Sequence, residues 1–130
     1  MANRIVDAVI TTIARNKMLR ARAGEITLPK IVGFVFGNGG VDGKGGVIAP
    51  DTTDTTLKNE IYRKVIDRYV ITSYTTCKYE CTLENSELAG EKISEIGLYD
   101  ADGDLVAIKA FSEKGKDADL EMTFQIEDIF

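Results

Sequence analysis

The chain has 130 residues, 44% of them hydrophobic and 28% charged, with a formal net charge of −5. That length and apolar content suit one globular domain over residues 1–130, burying roughly two thirds of the surface its unfolded form exposes. The apolar residues are dispersed and the basic N-terminal segment lacks the apolar block and cleavage site of a secretory signal, which excludes membrane insertion and predicts a soluble protein not exported by the usual route.

Asn3 reads as the N-cap of a helix, with Asp7 in the first turns and Arg15, Lys17, Arg20 and Arg22 toward the other end, the order a helix dipole favours. Ile5, Val6, Val9, Ile10 and Ile13 form an apolar stripe at helical spacing. Past Arg15 the stripe drifts to Ala14, Met18 and Ala21, which predicts a kink or two consecutive helices ending at Gly24. Such a stripe is ordinarily core, and Ile5, Val9 and Ile13 are its candidates for contact with another subunit.

Ile26 to Phe36 reads as a strand, or a bent pair of strands interrupted at Pro29. Gly37 to Pro50 is the one long loop, with six glycines between Gly37 and Gly46. It does not fit a phosphate cradle. Five residues separate Gly37 from Gly43 and Lys44 is followed by Gly45, against the Walker pattern; Asp42 and Ile48 occupy the third-glycine position of the dinucleotide pattern. The loop reads as a mobile connection ordered by a partner, with Gly37, Asn38, Gly39 and Gly40 as candidate contacts.

Asp54 or a neighbouring threonine would cap a short helix through Lys64. Val65 to Ser73 and Thr76 to Leu83 then read as strands. In the second, Cys77, Tyr79, Cys81 and Leu83 alternate with Lys78, Glu80 and Thr82, so one face is buried and the other wet. The two cysteines share that face but stand four residues apart at about 3.3 Å each, too far for a disulfide, and no histidine exists to complete a thiolate metal site. They read as reduced core thiols.

After a polar connection from Glu84 to Glu91, Ile93 to Phe111 reads as a hairpin. With Ala101-Asp102-Gly103 as a three-residue loop, Gly103 supplies the left-handed backbone of a type I turn plus G1 bulge. The register then pairs Ile96 with Ile108, Leu98 with Val106, Glu95 with Lys109 and Tyr99 with Leu105. A two-residue loop would set Ile96 against Lys109, burying a charge or exposing an isoleucine. A charged loop containing Gly115 leads to a last strand whose Leu120, Met122, Phe124 and Ile126 share a face. The expectation is an α+β fold: N-terminal helices followed by a mostly antiparallel β-sheet or flattened sandwich of five or six strands.

Charge is distributed unevenly. Met1–Lys30 holds six basic and two acidic residues, whereas Glu80–Phe130 holds four basic and fourteen acidic. Two readings fit: a solvated surface whose charges happen to cluster, or an assembly in which subunits or partner proteins meet basic face to acidic face; nucleic acid is disfavoured as a partner. Without histidine, acid–base chemistry would fall on residues that lie in no recognisable catalytic motif, and no G-x-S-x-G elbow exists. Asp100, Asp102 and Asp104 alternate like calcium ligands, but the positions for the loop glycine and the bidentate glutamate hold Leu105 and Phe111. No enzyme, cofactor or metal is expected.

The run Glu95-Ile96-Gly97-Leu98-Tyr99-Asp100-Ala101-Asp102-Gly103-Asp104-Leu105-Val106-Ala107 resembles the phage tail-collar fibre protein family, found in tail fibres of bacteriophages and phage-derived bacteriocins. Leu57-Lys58-Asn59-Glu60-Ile61-Tyr62-Arg63 is similar to the motif preceding that family's strands, and Phe36-Gly37-Asn38-Gly39 to its glycine turn. The resemblance implies a structural module that joins a fibre to the baseplate or collar of a phage tail or phage-tail-like particle, made in the host cytoplasm. Its implied partners are other tail and baseplate proteins and further copies of itself, often as a trimer. Family members commonly continue into a shaft and receptor-binding tip, so a chain stopping at Phe130 implies a stand-alone adaptor or the attachment domain of a longer product. A small ligand-binding or regulatory domain whose glycine loop closes on a ligand is the alternative.

Overall fold

The structure, a computed structural model, describes residues 8–130. The expected cap at Asn3 and the stripe residues Ile5 and Val6 lie outside the described residues. The elements run β1 (Val9–Ile10), α1 (Thr12–Arg22), β2 (Ile31–Gly37), β3 (Glu60–Val65), β4 (Arg68–Ser73), β5 (Thr76–Leu83), β6 (Lys92–Asp100), β7 (Leu105–Gly115) and β8 (Met122–Ile129). This is the expected α+β arrangement, a helix near the start followed by antiparallel sheet, with eight strands among the described residues rather than five or six. They form a five-stranded sheet ordered β1-β7-β6-β2-β3 and a three-stranded sheet ordered β4-β5-β8.

Val9 and Ile10 depart from the helical expectation and pair with Ile108 and Ala107 of β7. The helix begins after them because Thr11 caps it, its hydroxyl accepting from the Ala14 amide while donating to the Leu105 carbonyl. One continuous helix follows, closed at Ala23 and Gly24. Ile26 to Lys30 is not strand; β2 starts at Ile31, beyond Pro29.

Glu60–Val65 is a strand and not the expected short helix. Its residues satisfy either spacing, and the edge of β2 decides: Gly33 to Phe36 pair with Val65 to Tyr62. Tyr62 then faces the main core while Arg63 lies 4.5 Å over the Tyr99 ring on the other side.

The core between the sheets is built from Phe34, Phe36, Ile96, Leu98 and Ala107 on one side and Cys81, Leu83, Phe124 and Ile126 on the other. A second cluster of Val35, Leu57, Leu105 and Ile108 covers the opposite face of the larger sheet. That second cover explains why β2 and β6 are buried on both faces. On the side turned to Leu57, β2 and β6 alternate small against large: Gly33 opposite Tyr99, Val35 opposite Gly97, Gly37 opposite Glu95. A Cβ on Gly97 would stand 2.7 Å from the Ala107 carbonyl, so this packing requires the glycine.

The hairpin turn is as expected. Gly103 has φ +86°, its amide donates to the Asp100 carbonyl, and Tyr99 pairs with Leu105. The rest of the register is not: a bulge shifts the pairing by one, setting Leu98 opposite Ala107, Ile96 opposite Lys109 and Glu95 opposite Ala110. The shift places Ile108 in the second cluster and leaves Ile96 in the first, so both faces of the sheet gain an isoleucine. Lys109 tolerates its place opposite Ile96 by lining a small polar cleft with Lys78, Gln125 and Glu127.

Candidate docking surface

Glu95 organises the loop side of the larger sheet. Only 2% exposed, its carboxylate accepts the amides of Gly39 and Asn59 on Oε2 and of Lys58 on Oε1, each at 2.9 Å. Next to it, Ser94 Oγ accepts the Gly40 amide at 2.9 Å, and a Cβ on Gly40 would collide with the Ser94 carbonyl. The glycine turn is therefore small because it wraps closely on β6. A buried carboxylate satisfied by three backbone amides is a fixed anchor.

The remainder of the glycine-rich stretch is closed on itself and is not the loose connection the composition predicts. Asp42 Oδ1 accepts the amides of Lys44 and Gly46, which lowers its pKa, while Val41 bridges Val47 and the Ile48 amide reaches the Gly40 carbonyl. These amides already serve acceptors within the chain, so the loop offers no cradle for a phosphate.

At the hairpin end, Lys17 of α1 sends its Nζ among three carboxylates, 2.7 Å from Asp100 Oδ2, 3.0 Å from Asp102 Oδ2 and 2.7 Å from Asp104 Oδ2. Burial works to lower the Lys17 pKa, but the hydrogen bonds it donates to Asp100, Asp104 and Asp102 outweigh that and hold the group well above the ordinary lysine range. Asp100 Oδ1 meanwhile accepts the amides of Asp102 and Asp104. The alternating acids thus gather a cation from the helix and shape the turn. A second network joins β3 to the Glu84–Glu91 connection, where Glu87 meets Lys64 Nζ at 2.6 Å and the Tyr62 hydroxyl at 2.6 Å.

An apolar groove of about 740 Å³ is lined jointly by the three-stranded sheet, α1 and the chain entering β2. Tyr69, Ile71, Cys77 and Tyr79 line one wall and Met18, Leu28, Ile31 and Val65 the other. Asp128 shares the core-facing side of β8 with Phe124 and Ile126 and points into this groove. It is 9% exposed and burial raises its pKa; Lys30 lines the same groove, but Asp128 forms no hydrogen bond or salt bridge with it or with any other described residue. Cys77 and Cys81 are free thiols, and burial pushes Cys81 up to about 12.

The contact candidates occupy separate places. Val9 packs half-buried against the second cluster, Ile13 sits half-buried on α1, and Ile5 is outside the described residues. Gly37 and Gly40 are buried at the Glu95 anchor, while Asn38 and Gly39 are half-exposed beside it. The groove was not found from the sequence, because Tyr69 and Ile71 carry the same alternating signal whether or not an opposing sheet covers them.

The family model for phage tail-collar fibre protein, N-terminal, matches residues 1–125. No curated protein and no solved structure matches the chain.

Proposed function

The chain belongs to the phage tail-collar fibre protein family, and from that membership we propose that residues 1–130 form an attachment domain joining a fibre to the baseplate or collar of a phage tail or phage-tail-like particle. The family is structural and non-catalytic, so the chain acts by docking and not by chemistry. The family match is the observation that carries the reading. The geometry supports it: the buried acids Glu95 and Asp100 are engaged in holding backbone and Lys17 in place.

The proposed assembly is a homotrimer in contact with other tail or baseplate proteins, produced in the host cytoplasm and carried in the particle. Ile5, Val9, Ile13 and the turn Gly37 to Gly40 are the contact residues nominated for it, with Asn38 and Gly39 accessible at the turn. Immunogold labelling of purified particles, together with light scattering of the isolated chain, tests the proposal. Label at the fibre–baseplate junction and a trimeric mass are expected; label absent from particles would overturn the assignment.

A further inference from the structure

We propose that a second copy of this chain fills the Asp128 groove with the Arg15–Leu19–Arg22 face of its α1. The inference rests on the self-association in the proposed function and adds to it a pair of surfaces separate from Ile5, Val9, Ile13 and the Gly37–Gly40 turn.

The groove supplies the acceptor. Val65, Tyr69, Ile71 and Phe130 stay well exposed around it, forming a contiguous apolar surface of the kind that marks an interaction site. Within that surface lies the Asp128 carboxylate, nine-tenths buried and unpartnered among the described residues. A carboxylate in such surroundings is satisfied by an occupant that is apolar and brings a cationic donor, since a purely apolar occupant would complete its desolvation without a partner.

The same chain supplies that occupant. Residues 15, 19 and 22 lie on one helix face, spanning roughly 10.5 Å along the axis. Leu19 is 66% exposed at the centre of that face, an unusual place for a leucine unless it is covered. Arg15 and Arg22 flank it, and neither has a carboxylate within 4 Å among the described residues, whereas Arg20 on the neighbouring face is held by Asn16 and Glu25. An arginine stem packs along apolar walls while its guanidinium reaches the carboxylate. The charge sense agrees with the whole chain, whose first thirty residues carry an excess of base and whose last fifty-one an excess of acid.

Donor and acceptor are different patches, so the contact is heterologous, the type of interface from which a cyclic trimer is built when its rotation closes. Ala14 and Met18, on the adjacent helix face, line the groove of their own copy. Each helix in the ring therefore lies between its own groove and its neighbour's.

Cys77, a groove-lining free thiol, provides a reporter. Leu19→Cys, mildly oxidised in dilute solution, should give covalent dimers and trimers on a non-reducing gel, and Leu19→Cys combined with Cys77→Ser should not. Light scattering of the unmodified chain, Leu19→Glu and Asp128→Asn should show association weakened about tenfold or more in both variants, with melting curves establishing that each remains folded. If the unmodified chain is trimeric but neither variant weakens it and no cross-link forms, the docking proposal is overturned and self-association stands. A monomeric unmodified chain overturns the self-association itself, and this proposal with it.

Discussion

Lys17 Nζ lies 2.7 Å from Asp100 Oδ2, tying the middle of the only helix among the described residues to a hairpin turn 83 residues later. The pair is largely withdrawn from water, with side chains 13% and 2% exposed, and Asp102 and Asp104 complete the cluster. Lys17→Met would leave three carboxylates converging without a cation. The variant should lose about 2–4 kcal/mol, since stripping one partner from a buried pair strands the other charge. Urea titration should show a lower midpoint at unchanged slope, and Lys17→Met with Asp100→Asn should be less destabilised than the sum of the singles. Additive losses would mean that the two side chains do not act together.

Glu95 gives the sharper test of how the glycine turn is held. Glu95→Gln keeps the shape but replaces one acceptor oxygen with an NH₂ group facing a backbone amide, so at least one of Gly39, Lys58 and Asn59 loses its bond. The expected cost is about 2–4 kcal/mol. Hydrogen exchange should speed up at those three amides before it does in β6. Unchanged protection there would show that the turn holds without the carboxylate.

Acid stability isolates Glu87. Burial alone would raise its pKa, but the Lys64 ammonium, the Tyr62 hydroxyl and the Glu84 amide bring it down to about 2, below the ordinary 4.5. A depressed carboxylate contributes stability that is complete above its unfolded pKa and is lost as pH falls through the folded one. Glu87 should therefore contribute about 1–2 kcal/mol at neutral pH after allowance for solvent screening, declining from about pH 4.5 toward 2. Glu87→Gln should flatten that part of the stability–pH curve, and parallel curves for variant and parent would refute the assignment.

The parts of this fold that were legible from the sequence are those with local causes. Gly103 and its flanking acids announce a turn within five residues, and the alternation from Cys77 to Leu83 announces a half-buried strand. Nothing local announces the bulge near Val106, because Val106-Ala107-Ile108 offers an apolar residue to the core in either register. Glu95 reads as a wet residue of an amphipathic strand; its amide partners are 56, 37 and 36 residues distant in sequence, and only the second cover of the sheet brings them to it. The groove is hidden for the same reason. It exists only because Met18 of α1, Ile31 of β2 and Val65 of β3 come to stand beside Tyr69 and Ile71, a property of the assembled elements and not of β4.

The bulge makes a prediction about the core. Ile96 and Leu98 are both enclosed between the sheets, so Ile96→Ala and Leu98→Ala should each cost about 2–5 kcal/mol. Lys109→Met, opposite Ile96, should cost little, because the lysine is only partly buried, lines the polar cleft beside Glu127 and makes no ion pair among the described residues. In the straight register Ile96 would instead face Ile108, and Ile108→Ala would couple strongly to Ile96→Ala. Double-mutant cycles decide between the registers: near-additivity for Ile96 with Ile108 is expected, since they lie in different clusters.

Gly103 allows backbone strain to be measured apart from steric clash. A Cβ built there meets nothing within 4 Å, so any cost of substitution comes from the +86° φ itself. Asparagine visits the left-handed region far more readily than a β-branched residue does. Gly103→Asn should therefore cost about 1 kcal/mol or less and Gly103→Val about 2–3 kcal/mol. The turn also carries Asp102 and Asp104 against Lys17, so a valine that distorts it should weaken the Lys17 contact as well. In a Lys17→Met background that second loss is already taken, and the Gly103→Val penalty should shrink toward the strain alone. An equal penalty in both backgrounds would show that the turn and the helix respond independently.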